Sequence, residues 1–246
     1  MVVQRRTVLI TGGSSGIGWA LSEFFAIKGW NVCIVDVQEP VRFLKGMRLF
    51  KADIRDIDKV KIVIEKCIRE FGGIDALINN AGKTDKNHRR LLDIPYETWR
   101  DIISTNINGT FACLRSCAET MKECRRGNIV NITSLLAQRG FARIGDAVYS
   151  TSKAALEMLT ECASVELLEY GINVNSAYPG VPVNTGFFDY LSTDERAKLA
   201  EPTIMNELVY TLCNLEPGEV TGRSFSVTNW LEDSALLKAR KRAFAE

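Results

Sequence analysis

Short apolar runs alternate with amphipathic stretches along most of the chain. Residues Thr7–Thr11 form an apolar run rich in β-branched side chains, and residues 31–35 and 47–52 give two further runs, which is typical of buried strands. After the first run, apolar residues recur at helical spacing from Ile17 to Ile27, as they do on the buried face of a helix. This alternation predicts a Rossmann-type α/β fold, a doubly wound parallel sheet with helices on both faces.

The same alternation continues through the rest of the chain. Further helices are predicted at about 58–71 and 96–125 and from near Glu201, and further strands at 75–78, 128–132 and 224–227. No repeat, low-complexity tract or linker interrupts the pattern, so residues 1–246 are predicted to form a single domain.

A glycine-rich turn connects the first predicted strand to the first predicted helix, and it reads Thr11-Gly-Gly-Ser-Ser-Gly-Ile-Gly18. Glycines allow a backbone to approach a pyrophosphate, and the helix N-terminus supplies N–H donors and positive potential. A purely structural turn is the alternative, but the position between strand and helix favours dinucleotide binding. The residues expected to contact the dinucleotide are Gly12, Ser14, Ser15, Gly16, Ile17 and Gly18.

The second predicted strand ends at Asp36. An acidic residue about 20 positions after the glycines typically accepts hydrogen bonds from the adenosine ribose, and it repels the 2′-phosphate of NADP. The predicted cofactor is therefore NAD. Arg42 and Lys45 are close enough in sequence to weaken the exclusion of NADP, and a solvated aspartate at a strand end is the alternative interpretation.

Two later strand ends supply further predicted cofactor contacts. Asp53 and Ile54 follow the third strand and are expected to flank the adenine. The fourth strand runs into Asn79-Asn-Ala-Gly82, where small residues let cofactor and backbone come close and amide side chains can tie neighbouring strands together. Asn80, Ala81 and Gly82 are therefore predicted to contact the cofactor.

Tyr149 and Lys153 are four residues apart, so in a helix they lie on one face. A phenol has an ordinary pKa of about 10. An ammonium at ~4 Å in a partly dry site attracts a phenolate by up to ~4 kcal/mol before desolvation is counted, and one pKa unit corresponds to ~1.4 kcal/mol. The pairing therefore predicts that Tyr149 exchanges a proton with an alcohol or carbonyl oxygen. A chance coincidence of the two residues is the alternative.

Two other positions complete the predicted catalytic group. Ser134 follows the fifth strand and is expected to donate a hydrogen bond to the substrate oxygen, with Thr133 as the competing hydroxyl. Asn106 lies in Asn106-Ile-Asn-Gly109 inside the long predicted helix, where asparagine and glycine are unfavourable. A kink that frees a backbone carbonyl for water would explain them, and Asn106 is a candidate for a proton relay toward Lys153.

Taken together, the glycine turn, Asn79-Asn-Ala-Gly82, Asn106, Ser134, Tyr149 and Lys153 resemble the single-domain branch of the short-chain dehydrogenase/reductase family. The resemblance implies that Tyr149 is the catalytic acid/base and that Ser134 polarises the substrate oxygen. It also implies that Lys153 lowers the pKa of Tyr149 and binds the ribose, so both residues touch the cofactor. Family members commonly form tetramers or dimers through their long helices.

The segment Tyr178-Pro-Gly180 resembles the part of the family that lies beside the nicotinamide, which implies that Pro179 and Gly180 contact it. The family usually places a threonine five residues after this proline, whereas here Asn184 has that spacing and Thr185 comes one later. Thr185 is the predicted contact, with Asn184 as the alternative. The segment at about 183–203 is expected to form the substrate loop.

Composition restricts the partners. The net charge of +1 argues against nucleic acid, and no apolar run approaches the ~18 residues of a membrane span. Seven cysteines without a C-x-x-C pair suit a reducing cytoplasm. With a single histidine, His88, no metal site is predicted, and a solvated role is favoured for His88.

These observations predict an NAD-dependent oxidoreductase that transfers hydride between nicotinamide and a secondary alcohol/ketone substrate. Within that class, a 3-oxoacyl thioester reductase is one open alternative, and sugars, steroids and small alcohols are others. Outside it, a non-catalytic NAD-sensing or interaction protein would be expected to lack Tyr149 or Lys153. An epimerase or dehydratase would generally need a longer carboxyl-terminal domain.

Overall fold

A seven-stranded, fully parallel sheet runs through the middle of the protein, and its strands lie in the order β3-β2-β1-β4-β5-β6-β7. The computed structural model describes residues 5–245, so residues 1–4 and 246 of the predicted domain lie outside the described residues. The strands are β1 (Thr7–Thr11), β2 (Asn31–Asp36), β3 (Met47–Lys51), β4 (Ala76–Asn79), β5 (Gly127–Ile132), β6 (Ile172–Tyr178) and β7 (Ser224–Ser226).

Helices cover both faces of this sheet. They are α1 (Gly16–Ile27), α2 (Ile57–Phe71), α3 (Tyr96–Ile103), α4 (Thr110–Cys124), α5 (Ala147–Leu167), α6 (Thr193–Arg196), α7 (Asn206–Leu212) and α8 (Ser234–Ala243). One apolar cluster packs α1, α7 and α8 on the first face, and the other packs α2, α4 and α5 on the second. The predicted doubly wound α/β fold is confirmed.

The order of the strands reverses between β1 and β4, which are neighbours in the sheet. The segments that follow these two strands at their carboxyl ends turn to opposite faces of the sheet. The crevice between the two segments is where ligands bind in such sheets. On its other side β4 is tied to β5, because Asn79 Nδ2 donates to Asn131 Oδ1 at 2.9 Å. The expectation that an amide of the Asn79–Gly82 segment bridges strands is thus confirmed.

The predicted long helix at 96–125 is interrupted where asparagine and glycine led us to expect a kink. Its middle, Ser104–Gly109, is a π-helical turn between α3 and α4. A Cβ on Gly109 would lie 2.6 Å from Ile54 Cγ1, so the glycine is needed for close packing. Helix α4 therefore approaches the loop after β3, which carries one of the predicted cofactor residues.

Two elements differ from the prediction. Strand β6 was not among the predicted strands, although it pairs with β5 over six residues, from Gly127 with Ile172 to Ile132 with Ala177. The helix expected near residue 201 begins as a 3₁₀ turn, Pro202–Met205, and becomes α-helical only at Asn206. Within residues 5–245, none of the helices is both long and apolar enough to cross a membrane.

A glycine at the start of α1 offers a test of the packing between the first turn and β4. A Cβ on Gly18 would lie 2.0 Å from the Gly12 carbonyl oxygen and 2.4 Å from Asn80 Nδ2. We expect Gly18→Ala to lower the free energy of unfolding by about 1–3 kcal/mol and to lower the melting temperature accordingly. Gly73→Ala is the matched control, since no atom lies within 4 Å of its Cβ position. Equal melting temperatures for the two variants would contradict this packing.

Candidate active site

A cavity of about 770 Å³ opens at the carboxyl ends of the strands, at the reversal of strand order. Most of the predicted site residues line it: Gly12, Ser15, Gly16, Ile17, Asp36, Asp53, Ile54, Asn80, Ala81, Gly82, Ser134, Tyr149, Lys153, Pro179, Gly180 and Thr185. The other three predicted site residues, Ser14, Gly18 and Asn106, are not part of the cavity lining. The structure therefore gathers residues from both halves of the sequence around one crevice.

The glycine turn forms the floor of the cavity at the N-terminus of α1. Gly12 and Gly16 have φ angles of +64° and +52°, which side chains rarely adopt. A Cβ on Gly12 would also lie 2.9 Å from the Ala81 Cα. Ser15 precedes the helix but makes no capping hydrogen bond with its side chain, which leaves N–H groups of the first helical turn for a ligand. This floor suits a diphosphate.

Asp36 is held at one end of the cavity by two backbone N–H groups. Its Oδ2 accepts a hydrogen bond from Ser14 N at 2.9 Å, and its Oδ1 accepts one from Gln38 N at 3.0 Å. Ser14 also donates through its hydroxyl to the Gln38 carbonyl at 2.8 Å. Ser14 thus fixes Asp36 rather than facing the cavity itself. The nearby cation Arg42 is paired with Glu23 of α1.

A chain of four charged residues borders the cavity beside Asp53. Arg55 Nη2 lies 2.5 Å from Asp53 Oδ2, and Arg55 Nη1 pairs with Asp101. Asp101 in turn accepts from Lys83 Nζ at 2.7 Å. The hydrogen bond from Arg55 lowers the pKa of Asp53 below its usual value. Arg55 and Lys83 line the cavity but were not predicted. No local motif marks them, because the residue that joins them, Asp101, comes from the distant helix α3.

The other end of the cavity brings Ser134, Tyr149 and Lys153 together. Tyr149 and Lys153 lie on one face of α5, with the Lys153 ammonium 5.9 Å from the centre of the Tyr149 ring. Lys153 is buried and its Nζ donates to the Ile132 carbonyl at 2.7 Å. Burial lowers the pKa of Lys153 to about 8, and the charge of Glu157 acts against this.

The pKa of Tyr149 differs from the prediction. Burial raises it to about 12, while a hydrogen bond with Ser134 lowers it and the charge of Asp146 raises it further. The predicted net fall of the Tyr149 pKa toward neutral pH is therefore wrong for this structure, because the effect of burial is larger. Removal of the phenolate from water outweighs an ammonium that is already bonded to a carbonyl.

The two competing hydroxyls have different partners. Thr133 is buried and its Oγ1 donates to Glu157 Oε1 at 2.6 Å, away from Tyr149. Ser134 lies beside Tyr149 at the cavity wall, and its Oγ also accepts from Leu136 N at 3.2 Å. The geometry therefore favours Ser134 as the hydroxyl that meets a substrate.

Asn106 lies in the π-helical turn beneath Gly82. Its Oδ1 accepts from Lys83 N at 2.7 Å, and its Nδ2 donates to the Lys83 carbonyl and to Ser152 Oγ at 2.9 and 2.8 Å. A Cβ on Gly82 would lie 3.5 Å from both Asn106 Oδ1 and Lys153 Nζ. The side chain of Asn106 is thus used to hold the backbone after β4, and a proton relay at this position stays a prediction.

The structure distinguishes the two residues proposed beside the nicotinamide. Asn184 Oδ1 accepts a hydrogen bond from Arg196 Nε at 2.9 Å, which ties it to α6. Thr185 lines the cavity, and its Cγ2 is 3.1 Å from the position of a Cβ on Gly16. Thr185 is therefore the better placed of the two.

The outer part of the cavity contains aromatic side chains and His88. Phe187 meets Tyr149 edge to face, with ring centres 5.8 Å apart. His88 is exposed, as predicted for a solvated residue, and its ring packs on Tyr190 at 5.0 Å while its Nδ1 lies 3.5 Å from Asp146 Oδ1. These contacts join residues from separate loops, so no local pattern predicts them. Across residues 5–245, no group of His, Cys, Asp and Glu side chains is arranged to hold a metal ion.

Comparisons with known proteins agree with this arrangement. A 3-oxoacyl-[acyl-carrier-protein] reductase FabG of Staphylococcus aureus is 34% identical over 190 residues, which cover 73% of this chain and 75% of the relative. An uncharacterised oxidoreductase of Schizosaccharomyces pombe is 36% identical over 181 residues, 73% of this chain and 68% of the relative.

Solved structures show the same fold. A variant of ElxO solved with NADPH bound superposes with a TM-score of 0.81 at 27% identity, over 93% of this chain and all of that one. The ligand-free aldohexose dehydrogenase of Thermoplasma acidophilum has a TM-score of 0.82 at 24% identity, over 91% of this chain and 92% of the other.

The family model described as short chain dehydrogenase matches residues 6–196, a span that begins at β1 and contains the glycine turn, the crevice and the group around Tyr149. The chain therefore belongs to the short-chain dehydrogenase/reductase family of oxidoreductases.

Proposed function

We propose that the protein is an NAD-dependent oxidoreductase that interconverts a secondary alcohol and a ketone, with Tyr149 as the acid/base. The observation that carries this proposal is the meeting of Ser134, Tyr149 and Lys153 at the inner end of a cavity whose other end suits a dinucleotide. A bound nicotinamide supplies or accepts the hydride.

Each catalytic side chain has a distinct task. With a pKa of about 12, Tyr149 carries its proton at neutral pH and is ready to donate it to a carbonyl oxygen. The oxidative direction is the reverse, in which the ionised Tyr149 receives the alcohol proton. Ser134 donates to the same oxygen and stabilises the charge that develops there. The Lys153 ammonium, 5.9 Å from the centre of the Tyr149 ring, favours the tyrosinate that forms when the proton is transferred.

The preference for NAD rests on Asp36. Its carboxylate faces the cavity and is fixed by two N–H donors, so it cannot easily turn away from a 2′-phosphate. Arg42, which could offset its charge, is paired with Glu23. The ElxO structure holds NADPH, so the two cofactors must be compared directly in this protein.

The substrate end of the cavity supports an apolar alcohol or ketone. Phe187, Phe188 and Tyr190 line it together with Leu135 and Val181, and such surfaces bind apolar substrate groups. The name of the Staphylococcus aureus relative favours one specific candidate, a 3-oxoacyl thioester. A screen of NADH formation over alcohols and polyols, with acetoacetyl-thioester reduction and NADP(H) in parallel, decides between these substrates. No hydride transfer with any of them would contradict the proposed activity.

We infer that the protein is a dimer or tetramer that packs through α4 and α5. Phe111 on α4 and Met158 and Val165 on α5 are exposed apolar residues, with Val165 at 74% exposure, and paired copies would cover them.

All seven cysteines are free thiols, which supports a reducing cytoplasm.

Replacement of the phenol tests the mechanism. We expect Tyr149→Phe to lower kcat by 10²–10⁴-fold, the range of general acid–base catalysis, because no other group occupies its place beside Ser134. Binding of NADH, measured by its fluorescence, should change little. Wild-type turnover in this variant would remove Tyr149 from the mechanism.

The two hydroxyls after β5 predict opposite patterns. Ser134→Ala should lower kcat by ~10²-fold, as does loss of a donor to a developing oxyanion, with little change in melting temperature. Thr133→Val removes one of the three hydroxyls that donate to the Glu157 carboxylate, so it should lower the free energy of unfolding by about 1–3 kcal/mol. Steady-state kinetics and thermal unfolding measure both effects. A larger loss of kcat in Thr133→Val would reverse the assignment.

The cofactor preference depends on one charge. Asp36→Asn keeps an acceptor for Ser14 N but removes the charge, so kcat/KM with NADP⁺ relative to NAD⁺ should rise by about tenfold or more, equal to ~1.4 kcal/mol. Glu39→Gln removes an exposed carboxylate three residues later and is the control. An unchanged ratio in Asp36→Asn, or wild-type preference for NADP⁺, would refute the role of Asp36.

A further inference from the structure

A second carboxylate lies one helical turn beyond Lys153 on α5. Glu157 accepts hydrogen bonds from three hydroxyls: Thr133 Oγ1 at 2.6 Å, Ser176 Oγ at 2.6 Å and Ser224 Oγ at 3.0 Å. These donors come from the end of β5, from β6 and from β7. One partly buried carboxylate therefore joins the helix to three neighbouring strands of the sheet.

Glu157 also completes a regular set of contacts between α5 and the end of β5. Tyr149, Lys153 and Glu157 are spaced by four residues, so they lie along one face of the helix. Lys153 Nζ binds the Ile132 carbonyl, and Glu157 binds the side chain of the next residue, Thr133. Tyr149 contacts the residue after that, Ser134.

We propose that Glu157 is a positioning residue, which keeps Lys153 charged and holds the strand end that carries Ser134. The inference rests on the proposed function only for its catalytic consequence; the charge state of Lys153 can be measured without turnover. A carboxylate near a buried lysine favours the charged, ammonium form of that lysine.

The charges around Lys153 leave Glu157 as the acidic group that acts on it most directly. Burial lowers the pKa of Lys153 to about 8, and the charge of Glu157 raises it. On α5 the other titratable neighbour is Tyr149. Beyond Gly82, the Lys83 ammonium is paired with Asp101. The end of β5 presents only hydroxyls and carbonyls to this face.

Two further groups face the same region without reaching Lys153. The charge of Asp146 acts on Tyr149 at the mouth of the cavity. Tyr178 lies at the end of β6, and burial and then the charge of Glu157 raise the pKa of its phenol. Both are present in the wild type and in the variants below, so they do not alter the comparison.

Lys153 is charged below its folded pKa and loses its charge as the pH rises through that value. Removing Glu157 removes the contribution that raises the pKa, so the ammonium is lost at a lower pH. The decline of kcat/KM on the alkaline side should move in the same direction.

The test compares Glu157→Gln, which keeps the shape and can still hydrogen bond with the three hydroxyls, with Glu161→Gln. Glu161 lies one turn further along α5 and is exposed. In each protein the extent of Lys153 acylation by acetic anhydride is followed against pH by mass spectrometry of the peptide that contains it. We expect the titration midpoint of Glu157→Gln to fall by about one unit, a tenfold change in the protonation constant. Glu161→Gln should match the wild type.

A second variant keeps the test decisive if Glu157→Gln does not fold. Glu157→Asp retains the charge, but the shorter side chain places it further from Lys153. The titration midpoint of Lys153 in this variant should therefore lie between those of the wild type and Glu157→Gln. Wild-type midpoints in both Glu157 variants, or an equal shift in Glu161→Gln, would overturn the inference. If no alcohol or ketone is turned over but the midpoint still falls, the proposed function fails and the assignment of Glu157 stands.

Discussion

A buried lysine ammonium holds helix α5 against the end of β5. Lys153 is only 3% exposed, and its Nζ donates to the Ile132 carbonyl at 2.7 Å. A charge removed from water costs several kcal/mol unless it is paired and hydrogen bonded. The carbonyl and the nearby Glu157 carboxylate reduce this cost, and they also fix the register between the helix and the strand. The phenol and the serine hydroxyl owe their convergence to the same contact.

The cofactor end of the site was predictable because each of its signals is local in sequence. The glycine turn joins β1 to α1, and Asp36 is the last residue of β2. Both positions are defined by the ends of elements that apolar periodicity already predicts. The same reasoning placed the interruption at Asn106–Gly109 correctly, because unfavourable residues in a helix require a reason. The close packing of Gly109 against Ile54, by contrast, depends on a distant loop.

The features missed depend on contacts between distant residues. Strand β6 alternates apolar residues with Asn173 and Asn175, a pattern typical of a half-exposed strand, yet both asparagines are buried. Asn173 Nδ2 donates to Asn128 Oδ1 and Asn175 Nδ2 donates to the Val220 carbonyl. Likewise, helical spacing predicts that Tyr149 and Lys153 are neighbours but not how dry their surroundings are. That dryness raises the pKa of Tyr149 and lowers that of Lys153, and it results from every element packed around them.

The two ends of the cavity are built by different means, which explains why the sequence identifies a cofactor more readily than a substrate. The cofactor end is formed by backbone groups and glycines. Two N–H groups hold Asp36, and the absence of a side chain on Gly12 lets the Ala81 backbone lie close to it. Such requirements leave clear marks in a sequence. At the substrate end, contacts between side chains from different loops take a larger part, as where the His88 ring packs on Tyr190 at 5.0 Å.

One exposed ion pair at that end is long, with 3.7 Å between Lys86 Nζ and Asp189 Oδ2. Side-chain contacts between exposed loops contribute little stability and can change without disturbing the sheet. The chemistry around Tyr149 is therefore constrained by the fold, whereas the choice of substrate depends on residues that the fold leaves free to vary.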